Sequence, residues 1–446
     1  MQAEAQGDMP TPSVPNRKQR GGRQGLTLLL IFLLLIGAVA LLFRHQADST
    51  TRHLPTTIHW QQVLQQYFVE SLVAAPGDSA TLYTCALPSP PELNLNALPS
   101  LTALSQDQLS SGVLLRSSDA GMHWQMLKAS LGDTLDCSIT VNPARASDLY
   151  VAGTSLASPD SAVLQHSSDG GDTWTIIQAT LAASNGHRVA WAGSRLSFIG
   201  SRLFAIQRLQ NIYHLISSTD GGRNWTAIDM KLLKPHQELR SYVVDPTAPN
   251  TIYGLAGAIT RERVLYVPSG ATPPPVPSPM PADQLVSRLY KSTDGGASWH
   301  ELLSSVPADS SIQIASTSHN LIYVGGLTGS ISTSSQGAFH MQSSSDGGAT
   351  WQPIAAPANM PLLNNWFVDA SGLLYDTTSH VGTPRSGNQF SPVGSIQRYD
   401  PSDNQWSTLA IPSAAGFLIA VTPAVSNGGD VLWSINLGTA LYRGTL

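Results

Sequence analysis

Residues 167–174 read SSDGGDTW, and near copies stand at 117–124 (SSDAGMHW), 218–225 (STDGGRNW), 292–299 (STDGGASW) and 344–351 (SSDGGATW). A polar, glycine-rich octet that ends on tryptophan reads as a turn followed by an apolar plug. Aspartate can accept hydrogen bonds from turn N–H groups, glycine permits positive φ, and the indole carries the buried area between neighbouring units. The aspartates of the copies, Asp119, Asp169, Asp220, Asp294 and Asp346, recur at about fifty residues except where an insertion lengthens one interval. A period of that size means a propeller or a solenoid.

Working outward from the octet, each copy is preceded by a short strand: VLLR, VLQH, YHLI, RLYK or FHMQ. Further upstream lies a pair of β-branched and aromatic runs, as in CSITVNPARASDLYVAG and SYVVDPTAPNTIYGLAG. Four short strands separated by Pro, Gly, Asn and Asp turns make one blade. Residues 71–86 supply the inner strands of the first unit. A sixth unit, around NWFVDASGLLYDTT and SIQRYDPSDNQW, keeps Trp406 although its octet has decayed, and a seventh (FLIAVTP, DVLWSIN, ALYRGTL) ends the chain one strand short. The missing strand is expected at the other end, in TTIHWQQV, Thr56 to Val63. Its pairing with the C-terminal strand would close the ring and remove two exposed sheet edges. One tryptophan then falls to each blade: Trp60, Trp124, Trp174, Trp225, Trp299, Trp351 and Trp406. The expected fold is all-β, a seven-bladed β-propeller over 56–446.

The pattern S-x-D-x-G-x-x-W resembles the Asp-box, or BNR, repeat of sialidases, sortilin-type receptors, xyloglucan hydrolases and photosystem II assembly factors. The resemblance implies that the box is the hairpin turn between third and fourth strands, on the side away from the ligand site. The boxed aspartates and tryptophans (Trp124, Trp174, Trp225, Trp299 and Trp351) are then structural, and function belongs to the opposite edge. The long insertions Pro88–Ser111, Ile259–Ser287 and Val381–Gly394 all fall between second and third strands and so belong to that edge. Loops on a rigid ring are where binding usually resides.

Composition agrees with many short strands: of 446 residues, 12% are charged and Gly and Pro number 37 and 30. A net charge of -5 with no basic stripe argues against nucleic acid as a partner. The one compositional break is Leu26 to Phe43, LTLLLIFLLLIGAVALLF, without a charge and long enough, at about 27 Å as a helix, to span a bilayer. Arg17, Lys18, Arg20 and Arg23 precede it, which puts the short N-terminal tail in the cytoplasm and the rest outside. A cleaved signal peptide ending near Ala38-Val39-Ala40 is the competing reading, but the apolar run exceeds a usual signal core. The expected organisation is a cytoplasmic tail (1–25), a single transmembrane signal-anchor (26–43), a linker (44–55) and an extracytoplasmic propeller (56–446). Cys85 and Cys137 are the only cysteines, and the strand template sets them in adjacent blades, where an exported compartment permits a bridge.

A sialidase would need an arginine cluster, a tyrosine nucleophile with a carboxylate, and an acid/base. Arg188, Arg208 and Arg240 map to the opposite edge of blades three and four, with Glu238 and Tyr213 close by. The family's early RIP arginine motif is absent. Paired carboxylates for another glycoside hydrolase could come only from Asp136, Glu238 and Asp376, which no spacing pairs. No metal-ligand motif is present, His380 reads as a solvated loop residue, and no cofactor is expected. The sequence therefore favours a membrane-anchored, non-catalytic binding or assembly ring for a protein or glycan partner, with an exo-acting hydrolase of the sialidase type as the alternative.

Overall fold

The computed structural model of the chain describes residues 57–88, 112–127, 134–155, 162–181, 196–209, 212–233, 237–248, 250–258, 286–307, 310–315, 320–328, 338–357, 366–380, 393–410, 417–423, 430–435 and 440–445. The tail, the apolar run 26–43 and the linker 44–55 lie outside the described residues. Among the described residues no helix is long and apolar enough to cross a membrane.

The strands form seven sheets, each built on an antiparallel set of four; in six of them the set follows chain order, and in the seventh the first strand of the chain takes the outer place. Strand β1 (His59–Gln65) stands apart from the order that follows. Blade one is β2 (Tyr67–Ala75), β3 (Asp78–Pro88), β4 (Val113–Ser117) and β5 (Gln125–Met126). Blade two is β6 (Thr134–Asn142), β7 (Arg145–Ser155), β8 (Ala162–Ser167) and β9 (Thr175–Ile177). Past it, β10 (Thr180–Leu181) precedes blade three, which is β11 (Ser197–Ile199), β12 (Arg202–Leu209), β13 (Ile212–Ser218) and β14 (Asn224–Ala227). Blade four is β15 (Gln237–Val244), β16 (Ile252–Ala258), β17 (Val286–Ser292) and β18 (His300–Pro307). Blade five is β19 (Ser311–Ile314), β20 (Ile322–Thr328), β21 (Ala338–Ser344) and β22 (Gln352–Ile354). Blade six is β23 (Trp366–Val368), β24 (Leu374–His380), β25 (Val393–Asp400) and β26 (Gln405–Ala410). Blade seven takes β27 (Phe417–Pro423), β28 (Asp430–Ile435) and β29 (Ala440–Thr445), and its fourth strand is β1.

The closure expected from TTIHWQQV is therefore present: β1 pairs antiparallel with β29, from His59 beside Thr445 to Gln65 beside Ala440. One feature departs from four strands per blade. The chain leaving β9 lays β10 in parallel against β14, Thr180 beside Asn224 and Leu181 beside Trp225, so blade three has a fifth strand. Two residues are too few to show a strand pattern in sequence, and the pairing satisfies an edge that would otherwise be open.

First strands touch those of neighbouring blades, β2 against β6 and β27, β15 against β11 and β19, and β23 against β19 and β27, which sets them innermost. Side chains on first strands reach a neighbouring blade: Thr140 Oγ1–H to the Leu196 carbonyl at 3.2 Å, Tyr242 O–H to the Phe204 carbonyl on β12 at 2.8 Å, and the Gln313 amide, which donates to the Trp366 carbonyl and accepts from Val368 N–H. The apolar core lies between blades more than within them. Trp225 packs with Tyr150, Ala152 and Leu164 of blade two and with Leu203, Ala205 and Ile216 of its own blade. Similarly, Trp433 and Val431 of blade seven pack with Leu72, Leu82 and Leu115 of blade one. Each blade buries a side that it could not cover alone, which is why the fold needs closure.

Candidate functional site

The five octets lie between third and fourth strands, and in each the polar residues are committed to the turn itself. The serine hydroxyl donates to aspartate Oδ1 at 2.8 Å in all five. It accepts from the N–H four residues on, at Gly121, Gly171, Gly222, Gly296 and Gly348. Aspartate Oδ1 also accepts the N–H of His123, Thr173, Asn224, Ser298 or Thr350, and Oδ2 takes that residue's side chain. These bonds hold the aspartates ionised. Asp169, Asp294 and Asp346 are lowered to about 2, chiefly by the hydroxyls of Thr173, Ser298 and Thr350, and Asp119 to about 2 by the His123 N–H and ring. Asp220 is lowered by the Asn224 N–H above all. Four indoles finish the motif by donating to the carbonyl of the second glycine, Trp174 to Gly171, Trp225 to Gly222, Trp299 to Gly296 and Trp351 to Gly348. The second glycine needs its conformation as well as its size: at Gly171 φ is +96, and a Cβ would come within 2.7 Å of Leu127 in the preceding blade.

The turn is also a socket for the neighbouring blade. Arg116 of blade one donates to the Gly170 carbonyl at 3.1 Å, and Lys291 of blade four to the Gly347 carbonyl at 2.8 Å. Arg202 of blade three reaches the Gly295 carbonyl at 3.1 Å, and Arg443 of blade seven reaches the Ala120 carbonyl at 3.0 Å across the ring closure. Tyrosines on second strands assist, Tyr83 to Gly170 and Tyr253 to Gly347, while Tyr323 donates instead to Gly372 in the hairpin between the first two strands of blade six. Cationic donors make the stronger class of such bonds. In blade two the residue before the turn serine is His166, which pairs with Asp148 of its own blade; Asp148 also accepts from Asn142 at 2.7 Å.

The opposite edge is where second strands end and first and third strands begin. Glu238 and Arg240 stand at the start of β15, and Tyr213 at the start of β13 beside Arg208 in the register. Three of the five residues singled out in sequence meet here. The Glu238 carboxylate, its side chain only 2% exposed, accepts the Tyr213 backbone N–H at 3.2 Å and lies 3.5 Å from Arg240 Nε. Arg240 itself is the extra residue of a β-bulge between Leu239 and Ser241, a device that re-aims a side chain. Its stem crosses Gly257, where a Cβ would stand 3.3 Å from Arg240 Cγ. Burial holds the nearby His214 below the ordinary imidazole range, with the Glu238 charge opposing it.

The remaining residues do not join this group. Arg188 lies outside the described residues, and Arg208 is placed by its backbone alone, near the end of β12. Asp376 is buried in β24 of blade six, paired in register with Trp366 and Gln397, and Asp136 lies in β6 of blade two, so blades four, six and two hold the three carboxylates separately. His380 ends β24 as a strand residue in register with Val393, which corrects its reading as a loop residue; the β24–β25 ladder runs on through the polar residues that follow Tyr375. Cys85 of β3 and Cys137 of β6 are joined as a disulfide, Cα atoms 6.1 Å apart, linking blades one and two in a buried setting. No cluster of three or more metal-ligating side chains occurs among the described residues. The insertions between second and third strands at 89–111, 259–285 and 381–392 lie outside the described residues.

Sequence reasoning missed the cationic sockets, although a signal exists: Arg116 and Lys291 immediately precede the turn serine. It also missed Trp433, fully buried where other blades carry Tyr83, Tyr150, Tyr253, Tyr323 or Tyr375.

The class this fold defines is the seven-bladed β-propeller. No protein-family model matches the chain, and no curated protein does. Among solved structures it is similar to a GH74 enzyme of Niastella koreensis, with 16% identity, 84% of this chain and 51% of that chain covered, and a TM-score of 0.49. It is similar also to YCF48 bound to a D1 peptide, at 11% identity over 88% of this chain and 97% of that one, TM-score 0.48. A puromycin-hydrolyzing peptidase of Mycobacterium tuberculosis follows, at 11% identity over 85% and 51%, TM-score 0.49. The chain spans about half the length of the GH74 enzyme and of the peptidase. Likenesses of this degree assign neither activity nor ligand, because propellers of one architecture carry unrelated functions.

Proposed function

We propose that the chain is a membrane-anchored, extracytoplasmic Asp-box propeller that binds a protein or glycan partner through the edge opposite the repeated turns, without catalysis. The observation that carries this reading is the commitment of Glu238. A carboxylate that serves as acid, base or nucleophile has to reach a substrate, and this one is buried between the Tyr213 N–H and Arg240. The three insertions between second and third strands support a recognition role for that edge. The charge-free run 26–43 behind Arg17, Lys18, Arg20 and Arg23 supports the anchor. The proximity of Arg240, Glu238 and Tyr213 is what favours the second reading, an exo-acting glycoside hydrolase of the sialidase type.

The test is a glycan-array and fluorogenic-sialoside screen of the full-length chain in detergent, with Arg240→Ala alongside. Binding without turnover is expected. Turnover that disappears in Arg240→Ala would establish the hydrolase instead. Alkaline extraction of membranes tests the anchor separately: release of the intact chain would overturn it.

A further inference from the structure

Strand β1 joins blade seven from the far end of the chain. It lies antiparallel to β29, with His59 beside Thr445 at the turn edge and Gln65 beside Ala440 at the opposite edge. No residue of β1 is buried, and Val63 and Leu64 are only partly covered against the Trp433 cluster. What holds the strand is the backbone ladder, Ile58 and Trp60 pressed over Gly444, and two bonds. Trp60 Nε1–H donates to the Ala410 carbonyl of blade six at 3.0 Å, and Thr445 Oγ1–H to the His59 carbonyl at 3.4 Å. At Gly444 a Cβ would fall 2.8 Å from both the Ile58 and Trp60 side chains. A single residue, Gln66 at φ 64, separates the strand from β2, the innermost strand of blade one.

We propose that β1 is a directional mechanical strap, strong when the ring is held at its opposite edge and weak when it is held at its C-terminus. Ladder bonds of an antiparallel pair lie perpendicular to the strands. A pull that enters at residue 57 and leaves through the opposite edge runs along β1, so every bond bears load at once. A pull that leaves through residue 446 acts at the same end of the pair, and the bonds open one after another from His59 and Thr445. The biological direction of pull rests on the anchored-ring reading, in which the tether precedes residue 57 and a partner holds the opposite edge. The strap property belongs to the ring itself.

Optical-trap pulling of the full-length chain tests it, with one handle on Thr57→Cys and the second either on a cysteine appended after Leu446 or on Val286→Cys at the opposite-edge start of β17. Gln237→Cys replaces Val286→Cys should the latter fail to fold. The C-terminal arrangement is expected to show an early step of about 50 Å, residues 57–66 drawn straight and swung out from their attachment at the opposite edge, a strand length away from the C-terminus. The opposite-edge arrangement is expected to rupture first at a several-fold higher force, lowered by Trp60→Ala. Equal first-rupture forces in the two arrangements would overturn the proposal, as would unfolding of the whole ring in one step from the C-terminal arrangement. Failure of the anchor would show in membrane extraction and leave the force ratio as it is.

Discussion

The two edges of the ring are built on different principles. At the turn edge one local solution is used five times, and every aspartate, serine and indole partner lies within eight residues of the others. At the opposite edge Glu238 joins an N–H from blade three to a guanidinium from a bulge in blade four, across 25 residues of chain. Repetition makes the first edge legible and uniform. The second draws its members from two blades and has no counterpart among the octets.

The sharpest way to break the comparison is at Trp225, the one box tryptophan with no exposed surface. Trp225→Ala should destabilise the ring by about 3–5 kcal/mol, since an aromatic core truncation leaves a cavity between blades two and three. Chemical denaturation measures it, and a loss below about 1 kcal/mol would mean that the turn, not the plug, holds the blades.

At the other edge, Glu238→Ala removes a buried hydrogen-bond partner of the Tyr213 N–H and an ion-pair partner of Arg240, a loss of about 1–3 kcal/mol. The same denaturation experiment applies. If the variant were as stable as the parent, Glu238 would be available for chemistry, and the hydrolase reading would gain.

Acid discriminates the edges next. Folded-state values lowered from 3.8 to about 2 at Asp119, Asp169, Asp294 and Asp346 give stability that is present above about pH 4 and lost as pH falls toward 2. A melting temperature followed from pH 5 to pH 2 should fall through that window. Replacement of all four aspartates by asparagine should flatten the fall, and an unchanged slope would assign acid sensitivity elsewhere.

The smallest effect concerns the one octet that departs from the rest. Ala120 occupies the first-glycine position at φ 58, where a Cβ is strained. Ala120→Gly should stabilise by a few tenths to about 1 kcal/mol, the relief being partly offset by a freer unfolded chain. Loss of stability on that change would show that the Ala120 methyl contributes contacts that outweigh its strain.

These contrasts explain what could be read beforehand. The octets fixed the period and the third and fourth strands of five blades, because a turn satisfied by neighbours in sequence leaves its signature in sequence; the count of seven came from matching the strand pattern beyond them. Closure by TTIHWQQV was readable from the strand missing at one end and spare at the other. Strand β10 was not readable, since two residues carry no periodicity. The sockets formed by Arg116, Lys291, Arg202 and Arg443 were not read either, because donor and acceptor lie 54, 56, 93 and 323 residues apart and only ring geometry sets them together.

The sequence by itself thus determined a ring of repeated units and the chemistry of each turn, for which local hydrogen bonding suffices. Tertiary structure decided how the units hold one another beyond the plugs that the octets announce: the partners each indole packs against, the cationic sockets, the closing of the Cys85–Cys137 bridge that the sequence only permitted, and the burial of Glu238 between two blades. The physical reason is range. Turn bonds act across a few residues of the same segment, whereas burial and charge pairing depend on which surfaces the closed ring sets face to face.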